Sequence, residues 1–161
     1  MPRDLHFEFV YPHDRRKVWR ALTDPEALSC WLMPNDFLPV VGHRFTFRTA
    51  PGPGFDGTIA CEVLEVREPE RLVYTWVGGG VDTRVIWTLL EEGRGTRLLL
   101  DHVGFRGWRG ALVSRILGSG WRSRILARGL PTLLDGWDGD GPIPADARAA
   151  CGRASSRKNR R

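Results

Sequence analysis

His102 is the residue of this chain best placed to move a proton. It lies in the run Thr96–Val103, where Leu98, Leu100 and His102 share one side of an alternating strand and Arg97, Leu99 and Asp101 the other. A neutral imidazole on an apolar face can serve as a general base. Asp101, however, points to the opposite face and cannot orient the ring. The spacing therefore favours a wall or core histidine that satisfies a hydrogen bond over a catalyst. His6, His13 and His43 have no ligand-like spacing to one another, so no metal site is expected. Cys30, Cys61 and Cys151 lie far apart without a Cys-x-x-Cys pair, which predicts neither a zinc knuckle nor a disulfide framework. Gly52-Pro53-Gly54-Phe55-Asp56-Gly57 fits Gly-x-Gly-x-x-Gly literally, but it opens a strand and contains proline, so it reads as a turn. There is no nucleophile elbow, P-loop or His-Glu-x-x-His motif. No cofactor is expected.

What the chain has in place of catalytic motifs is aromatic surface. Seven Trp and seven Phe in 161 residues make either a heavily aromatic core or the wall of an apolar pocket. Charge gives little direction. The formal net charge is +5, but six basic residues and no acid follow from Arg148 onward, which leaves the rest at about −1. That tail shows no apolar periodicity and is expected to be disordered, and a nucleic-acid partner is not expected. Arg106, Arg109, Arg115, Arg122, Arg124 and Arg128 make an acid-free helical surface, read as a solvated face. The first residues lack the apolar run of a signal peptide, and no segment is long and apolar enough to span a bilayer. A reduced, cytoplasmic setting is the expectation, with the oligomeric state left open.

The elements that must position these side chains are legible from period. Leu5, Phe7, Phe9 and Tyr11 alternate as a strand that Pro12 stops. Asp14 can cap a short helix carrying Val18, Trp19, Ala21 and Leu22, and Asp24-Pro25 starts a second with Ala27, Leu28, Trp31 and Leu32. Five strands follow at His43–Thr49, Gly57–Val66 (with a bulge), Leu72–Val77, Asp82–Leu90 and Thr96–Val103, joined by short turns as an antiparallel meander. Beyond Phe105 the pattern turns helical. One apolar stripe, Trp108, Leu112, Val113, Ile116 and Leu117, should break at Gly118-Ser119-Gly120. A second runs from Trp121 to Trp137, with Pro131 expected to kink it. The predicted fold is α+β: a curved antiparallel sheet around a long C-terminal helix, with two short helices after the first strand. Residues 1–145 form the domain and 146–161 a disordered basic tail.

The pattern resembles the START/Bet v 1-type superfamily, the helix-grip or SRPBCC proteins, and within it the homologues of the activators of heat-shock-protein ATPase. The resemblance rests on Val18-Trp19-Arg20-Ala21-Leu22-Thr23-Asp24-Pro25-Glu26 with Trp31, on Glu62–Val66, and on Glu68-Pro69-Glu70-Arg71-Leu72-Val73-Tyr74-Thr75-Trp76. Gly95–Leu98, His102–Phe105 and Gly120-Trp121 extend it. It implies a cavity between sheet and terminal helix, with Trp31, Phe45, Phe47, Tyr74, Trp76, Trp87, His102 and Trp121 as its wall and a hydrophobic small molecule as partner. Non-enzymatic binding of a polyketide-like or polycyclic molecule is the leading expectation. A cofactor-free cyclase or dehydratase using His102, and a co-chaperone, are the alternatives. A narrower stretch, Gly129-Leu130-Pro131-Thr132-Leu133-Leu134, is similar to the Gly-Trp-Pro-Thr-aliphatic run of enediyne self-resistance proteins. In those proteins a backbone glycine is consumed by the drug's diradical, which makes Gly129 the sacrificial candidate.

Overall fold

The computed structural model describes residues 4–156. Six strands form one antiparallel sheet: β1 (Leu5–Tyr11), β2 (Arg44–Arg48), β3 (Thr58–Arg67), β4 (Arg71–Gly78), β5 (Val81–Glu92) and β6 (Gly95–Val103), in the order β1-β6-β5-β4-β3-β2. Period-two burial puts Val81, Thr83, Val85, Trp87 and Leu89 of β5 and Thr96, Leu98, Leu100 and His102 of β6 on the inner face. One face is thus apolar, and the helices cover that face alone. The apolar residues on both sides of β3 are reconciled by a register shift between Val63 and Glu65, the bulge its sequence implies.

Two helices follow β1. In α1 (Arg15–Thr23) the Asp14 carboxylate accepts from the Arg16 N–H at 2.8 Å. In α2 (Pro25–Trp31) Asp24 accepts from Glu26 and Ala27, with Pro25 in the first turn. The terminal helix runs over thirty residues as α3 (Gly107–Ser119), a π-helical segment (Gly120–Gly129) and α4 (Leu130–Gly136). The break expected at Gly118-Ser119-Gly120 does not occur, since Ser119 and Gly120 keep right-handed helical dihedrals and the chain only widens its turns.

Pro131 has a consequence that differs from a simple kink. In the π segment Leu130 N–H reaches back five residues to the Ile125 carbonyl. The next donor, which would serve Leu126, falls at residue 131, and proline has none. The Tyr11 hydroxyl, coming from β1, donates to the Leu126 carbonyl at 2.7 Å instead. One buried phenol thereby satisfies a carbonyl and ties the terminal helix to the sheet.

Two further expectations are corrected. Of the stripe Trp108, Leu112, Val113, Ile116 and Leu117, only Leu117 packs against the core and Val113 is half-buried; Trp108, Leu112 and Ile116 are exposed, and the residues α3 buries most fully are Gly110 and Ser114. Small residues win because α3 sits hard against the chain at Phe105, where a Cβ on Gly110 would stand 3.0 Å from the Phe105 carbonyl carbon. The disorder expected from residue 146 gives way to α5 (Ala145–Ser156), and residues 157–161 of that tail lie outside the described residues. Alanine is a strong helix former, and Ala147 and Cys151, one turn apart, are both buried. Ala147 packs on Gly136, and Cys151 is disulfide-bonded to Cys30 of α2, with the two Cα atoms 5.4 Å apart. The wide spacing of the cysteines carried no sign of this pairing, because α2 and α5 meet only in the folded chain.

Candidate functional site

All eight residues expected to line a cavity lie between the inner sheet face and the terminal helix, each no more than 4% exposed. β2 contributes Phe45 and Phe47, β4 contributes Tyr74 and Trp76, β5 contributes Trp87, and β6 contributes His102. Trp31 comes from the end of α2 and Trp121 from the π segment. Their rings touch in an unbroken series. Trp31 meets Trp87 edge-on at 6.0 Å, Trp87 meets Trp121 at 5.6 Å, and Trp121 meets Trp76 at 5.6 Å. Trp76 continues to Phe47, Phe47 to Phe45, and Phe45 to Tyr74, at 5.5, 5.3 and 5.3 Å. These separations are those of favourable aromatic pairs, so the rings pack on one another. Two surface clefts, of about 460 and 310 Å³, lie elsewhere: one against Asp135–Pro144, the other beside Arg15, Arg67 and Arg71.

Polar groups are few inside this face, and each has a partner. The Trp31 indole N–H donates to the Ala21 carbonyl at 2.7 Å and that of Trp87 to the Tyr74 hydroxyl at 3.0 Å. Around His102 the bonds fix the tautomer. Thr83 donates its hydroxyl proton to the Trp76 carbonyl at 2.8 Å, so its oxygen accepts from His102 Nε2–H at 2.8 Å. His102 Nδ1 in turn accepts from the Trp121 indole N–H at 3.2 Å. This relay joins the terminal helix to β6, β5 and β4 in sequence. Burial depresses the His102 pKa to about 3, so the ring is neutral at physiological pH.

That geometry decides the chemistry open to His102. A general base needs a free lone pair, and the only one on this imidazole is held by Trp121. Asp101 lies on the outer face, bonded to His6 at 2.6 Å, as the strand alternation requires. Among the described residues no group of three or more His, Cys, Asp or Glu could hold a metal ion. Buried Cys61 is a free thiol whose ionisation burial pushes up strongly, which leaves it inert.

Gly129 is buried at the end of the π segment, where a Cβ would stand 2.9 Å from the Trp31 carbonyl oxygen. Close approach of the terminal helix to α2 is therefore one reason for glycine here. Three participants escaped the sequence reading. Phe37, from the loop before β2, is fully buried and packs edge-on against Phe45 at 5.0 Å; nothing in its Pro-flanked surroundings signals this. Phe105 stands 4.7 Å from His102. Thr83 was findable, since it shares the parity of Val85 and Trp87, and Val85 pairs with His102.

The chain is similar to several solved structures. Protein MLL2253 from Mesorhizobium loti is 34% identical, with 82% of this chain and 96% of that one covered and a TM-score of 0.74. DynU16, a protein of the dynemicin biosynthetic locus, is 23% identical over 86% of this chain and 51% of its own, with a TM-score of 0.69. CalU16 from Micromonospora echinospora is 24% identical over 94% of this chain and 83% of its own, with a TM-score of 0.62. The last two likenesses show the fold alone. Among curated proteins, none matches. Residues 12–132 match the family described as activator of Hsp90 ATPase homolog 1-like protein, and the chain belongs to that family.

Proposed function

We propose that the domain binds a hydrophobic, ring-bearing small molecule against the aromatic inner face and does not turn it over. The observation that carries this reading is the continuous aromatic series from Trp31 to Tyr74, which offers π-faces and one neutral polar relay but no free base. Family membership supports it, because SRPBCC domains generally bind hydrophobic ligands. Entry of a ligand would separate the terminal helix from the sheet. The π segment suits that movement, since π turns are less stable than α turns and recur at functional sites. Saturation with a polycyclic aromatic polyketide at a hundred times its dissociation constant should raise the unfolding free energy by about 2.7 kcal/mol and return the ligand with unchanged mass. Conversion that disappears in His102→Gln would make the protein a cyclase or dehydratase instead.

Self-resistance is the finer form of the proposal. The folds of the enediyne-locus proteins DynU16 and CalU16 suggest an enediyne as ligand. Gly129 abuts the backbone of Trp31, a wall residue, at the junction of the terminal helix and α2 that an entering ligand would have to open before the Gly129 Cα could be reached. A hydrogen atom lost from that carbon to the diradical leaves a backbone radical, and dioxygen trapping it would cleave the chain there. Aerobic exposure to an activated enediyne should give two fragments split near Gly129. Intact protein alongside demonstrated binding would leave sequestration alone.

A further inference from the structure

Helix α3 is amphipathic in the reverse of the usual sense. Its fully buried residues are Gly110 and Ser114, with Val113 and Leu117 half-buried beside them, while Trp108, Leu112 and Ile116 are 72%, 53% and 63% exposed. At i, i+4 and i+8 these three form one ridge along a helix of 13 residues. Helical geometry places Arg115 along one border of the ridge and Arg109 along the other, both exposed. The Arg109 guanidinium lies over the Trp108 ring at 5.3 Å. No acidic residue occurs from His102 to Leu134, so nothing in the neighbouring sequence neutralises this face.

We propose that α3 docks flat on an anionic lipid bilayer, with Leu112 and Ile116 among the upper acyl chains, Trp108 at the boundary between acyl chains and headgroups, and Arg109 and Arg115 at the headgroups. Large apolar residues in water, bordered by arginine, are the composition of an interfacial helix, and Trp is the side chain preferred at headgroup depth. Charge selects the occupant. A second copy seated on the ridge would bring the arginines of both chains together without a carboxylate between them. Shape selects it too: the ridge is convex, so it offers a peptide no groove, whereas a bilayer yields around it. Docking uses the outward side of α3 and none of the aromatic inner face, so it does not rest on what that face binds.

The test has a built-in reporter. Trp108 is exposed, whereas the other six tryptophans are at most 4% exposed, so a solvent-sensitive change in emission reports Trp108. The full chain is mixed with vesicles of phosphatidylcholine alone or with about one-third phosphatidylglycerol. Co-sedimentation with the anionic vesicles only, a blue shift, and quenching of Trp108 by brominated acyl chains are expected. Arg109→Gln and Arg115→Gln should each weaken binding about fivefold. Trp108→Ser/Leu112→Ser/Ile116→Ser should weaken it by about a hundredfold with unchanged far-ultraviolet circular dichroism. Equal binding to neutral vesicles, or none to either, would overturn the proposal. So would self-association in the ultracentrifuge that the triple variant abolishes, since that would seat a second copy on the ridge.

Discussion

Replacing His102 by glutamine tests the buried relay through its pH dependence. In the unfolded chain a histidine titrates near 6.5, while in the fold burial holds His102 at about 3. Between these values the unfolded state binds the extra proton, so stability rises with pH through the window. The contribution is fully present above pH 6.5 and is lost as pH falls toward 3. Integrated over the whole window the shift corresponds to about 5 kcal/mol, and between about pH 7.5 and pH 5 to about 2 kcal/mol. Urea unfolding of both proteins at those two pH values measures it. The wild type should lose about 2 kcal/mol more than His102→Gln on acidification. The comparison cancels the other groups, notably His6, whose bonds to Asp101 and Glu8 raise its pKa and act in the opposite direction. Glu8, Glu65 and Glu92, all lowered by arginine or histidine partners, act mainly below this range. At the higher pH the variant should also be less stable, because the glutamine amide lacks the imidazole's ring contacts with Trp76, Phe105 and Trp121. Parallel pH profiles for the two proteins would refute the placement of a neutral His102 in the relay.

Further outcomes follow from single contacts. Tyr11→Phe strands the Leu126 carbonyl beside Pro131 and should cost about 1–3 kcal/mol in a denaturant titration; no loss would mean that the carbonyl has another donor. Gly129→Ala forces a methyl group against the Trp31 carbonyl and should cost about 1–3 kcal/mol, read as a lower melting temperature. In denaturant without reductant, thiol alkylation should label Cys61 alone, and all three cysteines after reduction; three labels without reductant would remove the Cys30–Cys151 bond from the account.

Where burial is one-sided, the sequence carried the structure well. Strict alternation in β5 and β6, and the Asp caps of α1 and α2, placed the strands and short helices, and parity alone brought Phe47, Tyr74, Trp76, Trp87 and His102 to one face. The failures are also physical. Helical period marks a ridge but not which side of the helix meets the core, and in α3 the smaller side was chosen because close approach at Phe105 demanded it. Composition marked residues 146–161 as unfit for a core, yet two buried side chains one turn apart suffice to seat α5. The role of Pro131 could be read only with Tyr11 in view, 120 residues earlier in the chain. Phe37 lies in a loop, where no period exists to reveal an inward side chain.

The central claim is that the aromatic inner face is the binding surface, and the indole N–H groups are its direct probes. The chain carries seven such groups, four of them on that face, each a separate reporter in nitrogen-15 spectra. Titration with a polycyclic aromatic polyketide should move the resonances of Trp31, Trp76, Trp87 and Trp121 saturably and leave exposed Trp108 in place. Resonances that stay fixed at saturating ligand, or a response confined to Trp108, would contradict the account.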